Sequence, residues 1–354
     1  MTTRLKIIVN PISGSGRAMR FLERLKDALA KEQIECQVAP TQKAGDAINL
    51  AQTHPDATPI LCLGGDGTFN EVINGLLANT RFGSDSRPVL GFIPFGSGNV
   101  IAKELHLKRN IRQFIHLFQN NLSRQLDLGC VTLPKENLKR YFISMAGIGF
   151  DAEVAQKYHL ARQDGSRLQA SRCSRAGRSV SACIGAHLFS YFPIAIKTLF
   201  SYQAPKINVH AEDKLITDNA SFVQIANVRS YGGPFVLVNK AIHNDGLLDA
   251  CWFIGKSSLS ILLYYTLAFL GNLPEWPFGR AGGSLASAGQ QRVKKVVISS
   301  SSQFVPLAPP AQCSRSRSAK PSLVPLQVDG DFCGYLPAEI EIIPKAVRIF
   351  TPIT

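Results

Sequence analysis

The amino-acid sequence predicts an α/β domain built on a doubly wound parallel sheet, followed by a mostly antiparallel β-sandwich domain. Three observations lead there. In the first third, an apolar strand, a glycine-bearing loop and a helix follow one another three times. After residue 130 the pattern changes to short strand-like runs between turn signals. The chain has 354 residues, 45% of them hydrophobic, which is long enough for two cores. The expected domains are residues 1–130 and 131–354, with the last residues free to return to the first domain.

In the first unit, Leu5–Val9 runs into Asn10-Pro11-Ile12-Ser13-Gly14-Ser15-Gly16. A helix from Arg17 to Ala30 follows, with Met19, Phe21, Leu22, Leu25, Ala28 and Leu29 at helical spacing. In the second, Pro59–Leu63 runs into Gly64-Gly65-Asp66-Gly67-Thr68, and Phe69, Val72, Ile73, Leu76 and Leu77 mark its helix. In the third, Pro88–Ile93 runs into Pro94-Phe95-Gly96-Ser97-Gly98-Asn99 and a helix over 100–107. Strands alternating with helices give a parallel sheet, whose ligands sit beyond the carboxyl ends of the strands. All three glycine loops fall at those ends.

The second domain is expected to hold strands at Tyr141–Met145, Ile207–His210, Ser221–Ala226, Leu248–Phe253, Val296–Ser299, Leu326–Asp329, Glu339–Ile343 and Ala346–Phe350. Asn244-Asp245-Gly246 and Asp329-Gly330-Asp331 are turn signals between them. Helical stretches interrupt the strands around 179–200 and 257–271. The Ser-, Pro- and Arg-rich segment Pro306–Pro325 reads as a flexible loop.

Composition narrows the function classes. Gly 28 and Pro 20 are near ordinary usage, which excludes disordered, collagen-like and disulfide-scaffold proteins. Eight cysteines without a CxxC pair argue against zinc or thioredoxin-like sites and for core thiols in a reducing compartment. No export signal is visible, and the longest apolar stretch, Leu259–Leu270, falls short of the roughly 20 residues that cross a membrane. The expectation is a cytoplasmic protein that meets membranes only at its surface.

The formal charge of +14 is uneven. Residues 161–180 carry Arg162, Arg167, Arg172, Arg175 and Arg178 against Asp164 alone. Residues 280–320 carry Arg280, Arg292, Lys294, Lys295, Arg315, Arg317 and Lys320 and no acid. Such stretches attract the phosphates of nucleic acid or of anionic lipids, or are plain solvated surface. No nucleic-acid fold signature accompanies them, so a nucleic-acid partner is not expected.

The loop Gly65-Asp66-Gly67-Thr68 carries most of the chemistry. Its glycines let backbone N–H groups approach a phosphate, and the next helix adds its positive end. An acid inside an anion-binding loop suits a Mg²⁺–nucleotide better than a bare anion. The plain alternative is a helix cap. A Walker loop is absent, and Gly14-Ser15-Gly16 lacks the third glycine and acidic partner of a dinucleotide fingerprint.

Gly64-Gly65-Asp66-Gly67-Thr68-Phe69-Asn70-Glu71-Val72 and Pro94-Phe95-Gly96-Ser97-Gly98-Asn99 resemble the paired signatures of the soluble diacylglycerol-kinase-type lipid kinases, which include sphingosine and ceramide kinases. The opening loop at 10–16, Thr41 with Gly45-Asp46, Asn244-Asp245-Gly246-Leu247-Leu248-Asp249 and Val328-Asp329-Gly330-Asp331 are similar to further motifs of that family, in the same order. The resemblance implies a nucleotide-binding catalytic domain of NAD-kinase and diacylglycerol-kinase type over 1–130 and a β-rich lipid-substrate domain over 131–354.

It further implies ATP and Mg²⁺ as cofactors, with ATP held by Asn10, Thr41, Gly65, Asp66, Gly67, Thr68, Phe69, Asn70, Glu71 and Ser97. Asp245 with the carbonyls of Ile242 and Leu247 is similar to a second-domain metal site. Asp331 takes the place of the family's glutamate general base, with Asp329 as its rival and Asp66 as the acid of the nucleotide loop. An Asp-Gly hairpin turn is the plain alternative at both places. The implied substrate is a membrane lipid, reached by peripheral contact with an anionic surface, and a homodimer stays open. An inactive lipid-sensing protein and an NAD-kinase-like enzyme acting on a soluble substrate are the alternative readings.

Overall fold

The computed structural model describes residues 3–83, 86–161, 187–232, 235–236, 238, 241–255, 258–269, 287–300 and 323–352. The five arginines of the first basic stretch lie outside these residues, as does the loop expected at 306–325 up to position 322.

The first domain contains β1 (Thr3–Val9), α1 (Arg17–Lys31), β2 (Ile34–Pro40), α2 (Asp46–Gln52), β3 (Ile60–Gly64), α3 (Asp66–Ala78), β4 (Leu90–Pro94), α4 (Val100–Glu104) and α5 (Ile111–Gln119). The chain continues through β5 (Ser123–Leu133), β6 (Leu138–Phe142), β7 (Met145–Ile148), a helix α6 over 150–161 and α7 (His187–Ser201). Then come β8 (Ile207–Ala211), β9 (Lys214–Ala220), β10 (Phe222–Ala226), β11 (Ser230–Gly232), β12 (Phe235–Val236), β13 (Leu248–Ile254) and α8 (Ser258–Phe269). The last elements are β14 (Ser287–Val293), β15 (Lys295–Ser300), β16 (Pro325–Val328), β17 (Asp331–Tyr335) and β18 (Ala338–Phe350). None of the described helices is long and apolar enough to cross a membrane.

The expected architecture is present. β2-β1-β3-β4 pair in parallel, and β3 and β4 are buried at every residue, as strands covered on both faces must be. A six-stranded antiparallel sheet, β14-β13-β10-β7-β16-β17, packs its apolar face against strands of the larger sheet. Val131, Phe142, Ile298 and Ile340 meet Ile148, Ile225 and Leu326 in that core. A smaller cluster gathers Phe150, Leu199, Phe222, Phe253, Ile261 and Tyr264 beneath α6, α7 and α8.

One strand joins the two halves. β18 lies antiparallel to β5 and β15 and parallel to β4, where Ile349 faces Leu90. Its end therefore fills the first core. Phe350 packs against Phe114 at 6.3 Å and Phe118 at 5.6 Å between ring centroids. The two runs expected at 339–343 and 346–350 are one strand with a bulge between Ile343 and Val347. Lys345 takes a left-handed φ of 51° in the bulge, and its N–H donates to Asp127 Oδ1 at 2.7 Å.

The expected strand Tyr141–Met145 divides into β6 and β7, which belong to different sheets. The chain crosses between sheets at Ile143 and Ser144, so their N–H groups have no ladder partner and turn to a side chain described below.

Five described cysteines are free thiols; Cys62 and Cys130 are buried, whereas Cys36, Cys251 and Cys333 are half-buried. Two described cations of the second basic stretch are paired with acids from other segments. Lys295 Nζ lies 2.8 Å from Glu339, and Arg292 meets Asp245.

Candidate active site at the junction of the two domains

The loops after β1, β2, β3 and β4 converge at the carboxyl edge of the parallel sheet. Backbone bonds extend the ladder into them, with the Asn10 N–H donating to Leu63 and the Thr41 N–H to Val9, both at 2.9 Å. Asn10 Nδ2 donates to Thr68 Oγ1 at 3.2 Å. The Gly45 N–H donates to Glu71 Oε1 at 3.0 Å, tying the start of α2 to α3.

One close approach explains two of the glycines. A Cβ on Gly96 would lie 2.9 Å from Gly65 Cα, so the two loops touch backbone to backbone. At Gly16, Gly45 and Gly67 the space a Cβ would fill is open. These loops form an uncovered rim with the N-terminus of the 13-residue helix α3 behind it.

Asp66 opens α3, and its carboxylate caps a different helix. It accepts the N–H groups of Val100 at 3.1 Å and Ile101 at 3.3 Å, which fixes α4 and the loop before it. Burial raises its pKa above the ordinary carboxylate range, while these donors and Lys103 pull the other way. Beside it, Asn99 sits at a left-handed φ of 49° and donates to Gly96 at 2.9 Å. Its Oδ1 is buried without a partner.

Two residues expected at the nucleotide are placed elsewhere. Phe69 is fully buried, stacks on Phe92 at 4.4 Å between centroids, and uses its N–H on Gly65. Asn70 is buried in the contact between domains. Its Nδ2 donates to Asp329 Oδ2 at 2.7 Å and to the Tyr141 carbonyl at 3.0 Å. Ser97 is exposed on the rim, and Thr41 and Thr68 are half-buried.

The turn between β16 and β17 faces these loops. Asp329 and Gly330 take φ of 49° and 91°, the backbone of a tight Asp-Gly hairpin. The two acids of the turn do different work. Asp329 accepts the N–H groups of Ile143 at 3.0 Å, Ser144 at 2.8 Å and Met145 at 3.0 Å, besides the Asn70 amide. Its carboxylate thus serves the sheet crossing and is not placed as a base. Burial pushes its pKa up against the pull of the four donors. Asp331 instead keeps 62% of its side chain exposed at the mouth, 3.8 Å from Arg140. Arg140 and Asp331 also lie in the electrostatic surroundings of Glu71, whose pKa burial raises.

The second-domain turn at 244–249 does not fit the expected cation. Asp245 Oδ1 accepts the Leu247 N–H at 3.0 Å, and Oδ2 is taken by the Arg292 guanidinium. Both oxygens carry a donor, one of them a full positive charge. Ile242 is exposed, and the Gly246 N–H donates to buried Asp127 at 2.7 Å. The described residues contain no cluster of three or more His, Cys, Asp or Glu able to hold a metal ion. Melting the nucleotide-free protein in EDTA and in excess Mg²⁺ is therefore expected to give the same Tm; stabilisation by Mg²⁺ would show that the cation displaces Arg292.

Sequence reasoning missed Arg140, Asp127 and the Asn70–Asp329 link. A cavity of about 270 Å³ beside Lys6 and His54 lies at the opposite edge of the parallel sheet and contains none of these loops.

Residues 4–131 match the family model of the diacylglycerol kinase catalytic domain. A diacylglycerol kinase of Staphylococcus carnosus is 26% identical over 354 residues, covering 99% of this chain and 96% of that protein. One from Staphylococcus saprophyticus is 27% identical over 360 residues, with 99% and 96% covered. The crystal structure of a diacylglycerol kinase from Bacillus anthracis superposes with a TM-score of 0.61 at 17% identity, covering 99% of this chain and 97% of that one. That last likeness shows the fold. The similarity to the two Staphylococcus proteins extends over 99% of this chain.

Proposed function

We propose that this chain, related over its whole length to the diacylglycerol-kinase-type lipid kinases, transfers the γ-phosphate of ATP to a hydroxyl of a membrane lipid. Diacylglycerol, a related glycerolipid or a sphingoid lipid would each offer that hydroxyl. The observation that carries the reading is the meeting of the glycine-lined rim with the exposed Asp331 of the β16–β17 turn.

The rim fits a nucleotide with its metal. The Cβ positions of Gly16, Gly45 and Gly67 are open, the Asn99 side-chain amide oxygen is unpartnered, and Asp66, which takes backbone donors from Asn99, Val100 and Ile101, keeps part of its roughly four acceptor sites. Asn10, Thr41, Gly65, Gly67, Thr68, Glu71 and Ser97 would line the nucleotide, with Asp66 turned to the metal. Mg²⁺, when bound, neutralises charge on the phosphates. Asp331 accepts the proton of the attacking lipid hydroxyl as the new O–P bond forms and the bond to ADP breaks. Exposed Ile196 and Phe200 on α7 and Leu262 on α8, with the net charge of +14, suit peripheral contact with an anionic membrane.

The experiment is transfer of labelled phosphate from ATP to a panel of lipids in mixed micelles. Asp66→Asn is expected to abolish transfer nearly completely, since the amide loses the charge that a nucleotide-bound metal needs. Wild-type turnover by a folded Asp66→Asn protein would remove Asp66 from the chemistry. A wild-type protein that labels none of the lipids would turn the reading toward a lipid sensor or a soluble substrate.

A further inference from the structure

We propose that Arg140 binds the γ-phosphate of the nucleotide, so that one guanidinium distinguishes ATP from ADP and releases Asp331 for the lipid. The proposal rests on the kinase reading of this site. Arg140 projects from β6 into the junction, where its Nη2 lies 3.3 Å from Asn70 Oδ1 and 3.8 Å from Asp331 Oδ2. Its Nε is buried and has no acceptor. A guanidinium has five N–H donors in a planar fork. Here one reaches a neutral amide, the carboxylate contact is loose, and a shielded donor is unused.

The surroundings explain why a cation is needed there. Asp331 lies 3.8 Å from it, and Glu71 feels its charge. Their charges, with that of Asp66 on the rim, would repel the phosphate tail of a nucleotide. The position of Arg140 is also fixed from the nucleotide side. Asn70, its partner, belongs to α3, directly after the glycine loop, and is locked by Asn74, Tyr141 and Asp329. Arg140 therefore stands between the loop that would hold ATP and the acid proposed as base.

Without nucleotide, the guanidinium rests against Asp331. A γ-phosphate offers it a planar pair of charged acceptors, a stronger match than the loose carboxylate contact. As Arg140 turns to the phosphate, Asp331 loses its cation and is left to accept the hydroxyl proton. No proton moves in this exchange; one ion pair replaces another.

The test is calorimetric binding of Mg–ATP and Mg–ADP, without lipid, to the wild type, Arg140→Met and Arg140→Lys, with Tm as the control for folding. The wild type is expected to bind ATP more tightly than ADP. Arg140→Met is expected to weaken ATP about 10–100-fold, the range for hydrogen bonds to charged groups, and to leave ADP unchanged. Arg140→Lys, which keeps the charge without the fork, is expected to fall between them, and it carries the comparison if the methionine variant unfolds. Equal weakening of ATP and ADP would make Arg140 a structural residue and overturn the proposal, as would unchanged binding of both. A wild type that binds neither nucleotide would overturn the kinase reading and this proposal together, an outcome distinct from loss of the Arg140 role alone.

Discussion

Asp331→Asn is expected to lower kcat by about 10²–10⁴ while the protein stays folded, because that is the usual share of a general base. The side chain is 62% exposed, and the structure shows it in one ion contact of 3.8 Å with Arg140. Losing an exposed pair of that kind costs little stability. The effect should therefore fall on turnover, measured at saturating ATP and lipid, with Tm unchanged. Asp331→Glu should retain activity, since it keeps the carboxylate and restores the residue that the resemblance implies. Normal kcat in the asparagine variant would remove Asp331 from the chemistry.

Asp329→Ala should behave in the opposite manner. Its carboxylate holds the N–H groups of Ile143, Ser144 and Met145 and the Asn70 amide. Without it, buried donors are left unpaired at about 1–3 kcal/mol each. A loss of roughly 3–5 kcal/mol is the expected scale, since neighbouring vacancies relax together. Thermal unfolding should begin below that of the wild type, by about 4–7 °C for a chain of 354 residues. A stable Asp329→Ala protein would show that the crossing from β6 to β7 holds without the carboxylate. Two acids separated by one glycine thus divide between a buried, fully bonded setting and an exposed one.

That division was invisible in the sequence, where both acids flank the same turn. The α/β units were legible because β3 and β4 are buried on both faces and read as unbroken apolar runs. β2 was not, since its later residues are half-buried or exposed and carry no clear period. β5 was hidden by Asp127 and Gly129. Asp127 is buried because it accepts N–H groups from Gly246 and Lys345, and Gly129 is required because the Phe142 ring occupies the place of a Cβ at 1.9 Å. Such residues are chosen by partners more than 100 positions away for Asp127, and no local pattern reveals them. The glycine loops were legible for the converse reason, since each serves its own strand end. The motif points to Phe69 and Asn70 as nucleotide contacts, whereas helix periodicity alone puts Phe69 on the buried face. The Asp245–Arg292 pair joins residues far apart in sequence, so the motif that implies a cation at Asp245 with the carbonyls of Ile242 and Leu247 gives no sign of the guanidinium.

The dependence of the first core on β18 has a consequence for how the protein is made. Residues up to 131 include all the glycine loops, yet that core lacks Ala346, Val347, Ile349 and Phe350 until the last strand arrives. At about 5–20 residues per second, synthesis of the intervening 219 positions from 131 to 350 takes roughly 10–40 s. During that interval the nascent first domain exposes Leu90 along an unpaired edge and the apolar seat of Phe350, the kind of surface that chaperones cover. A ribosome-bound fragment that ends before residue 331 also lacks the β16–β17 turn that faces the glycine loops, so the junction between the two halves is assembled only near the end of synthesis.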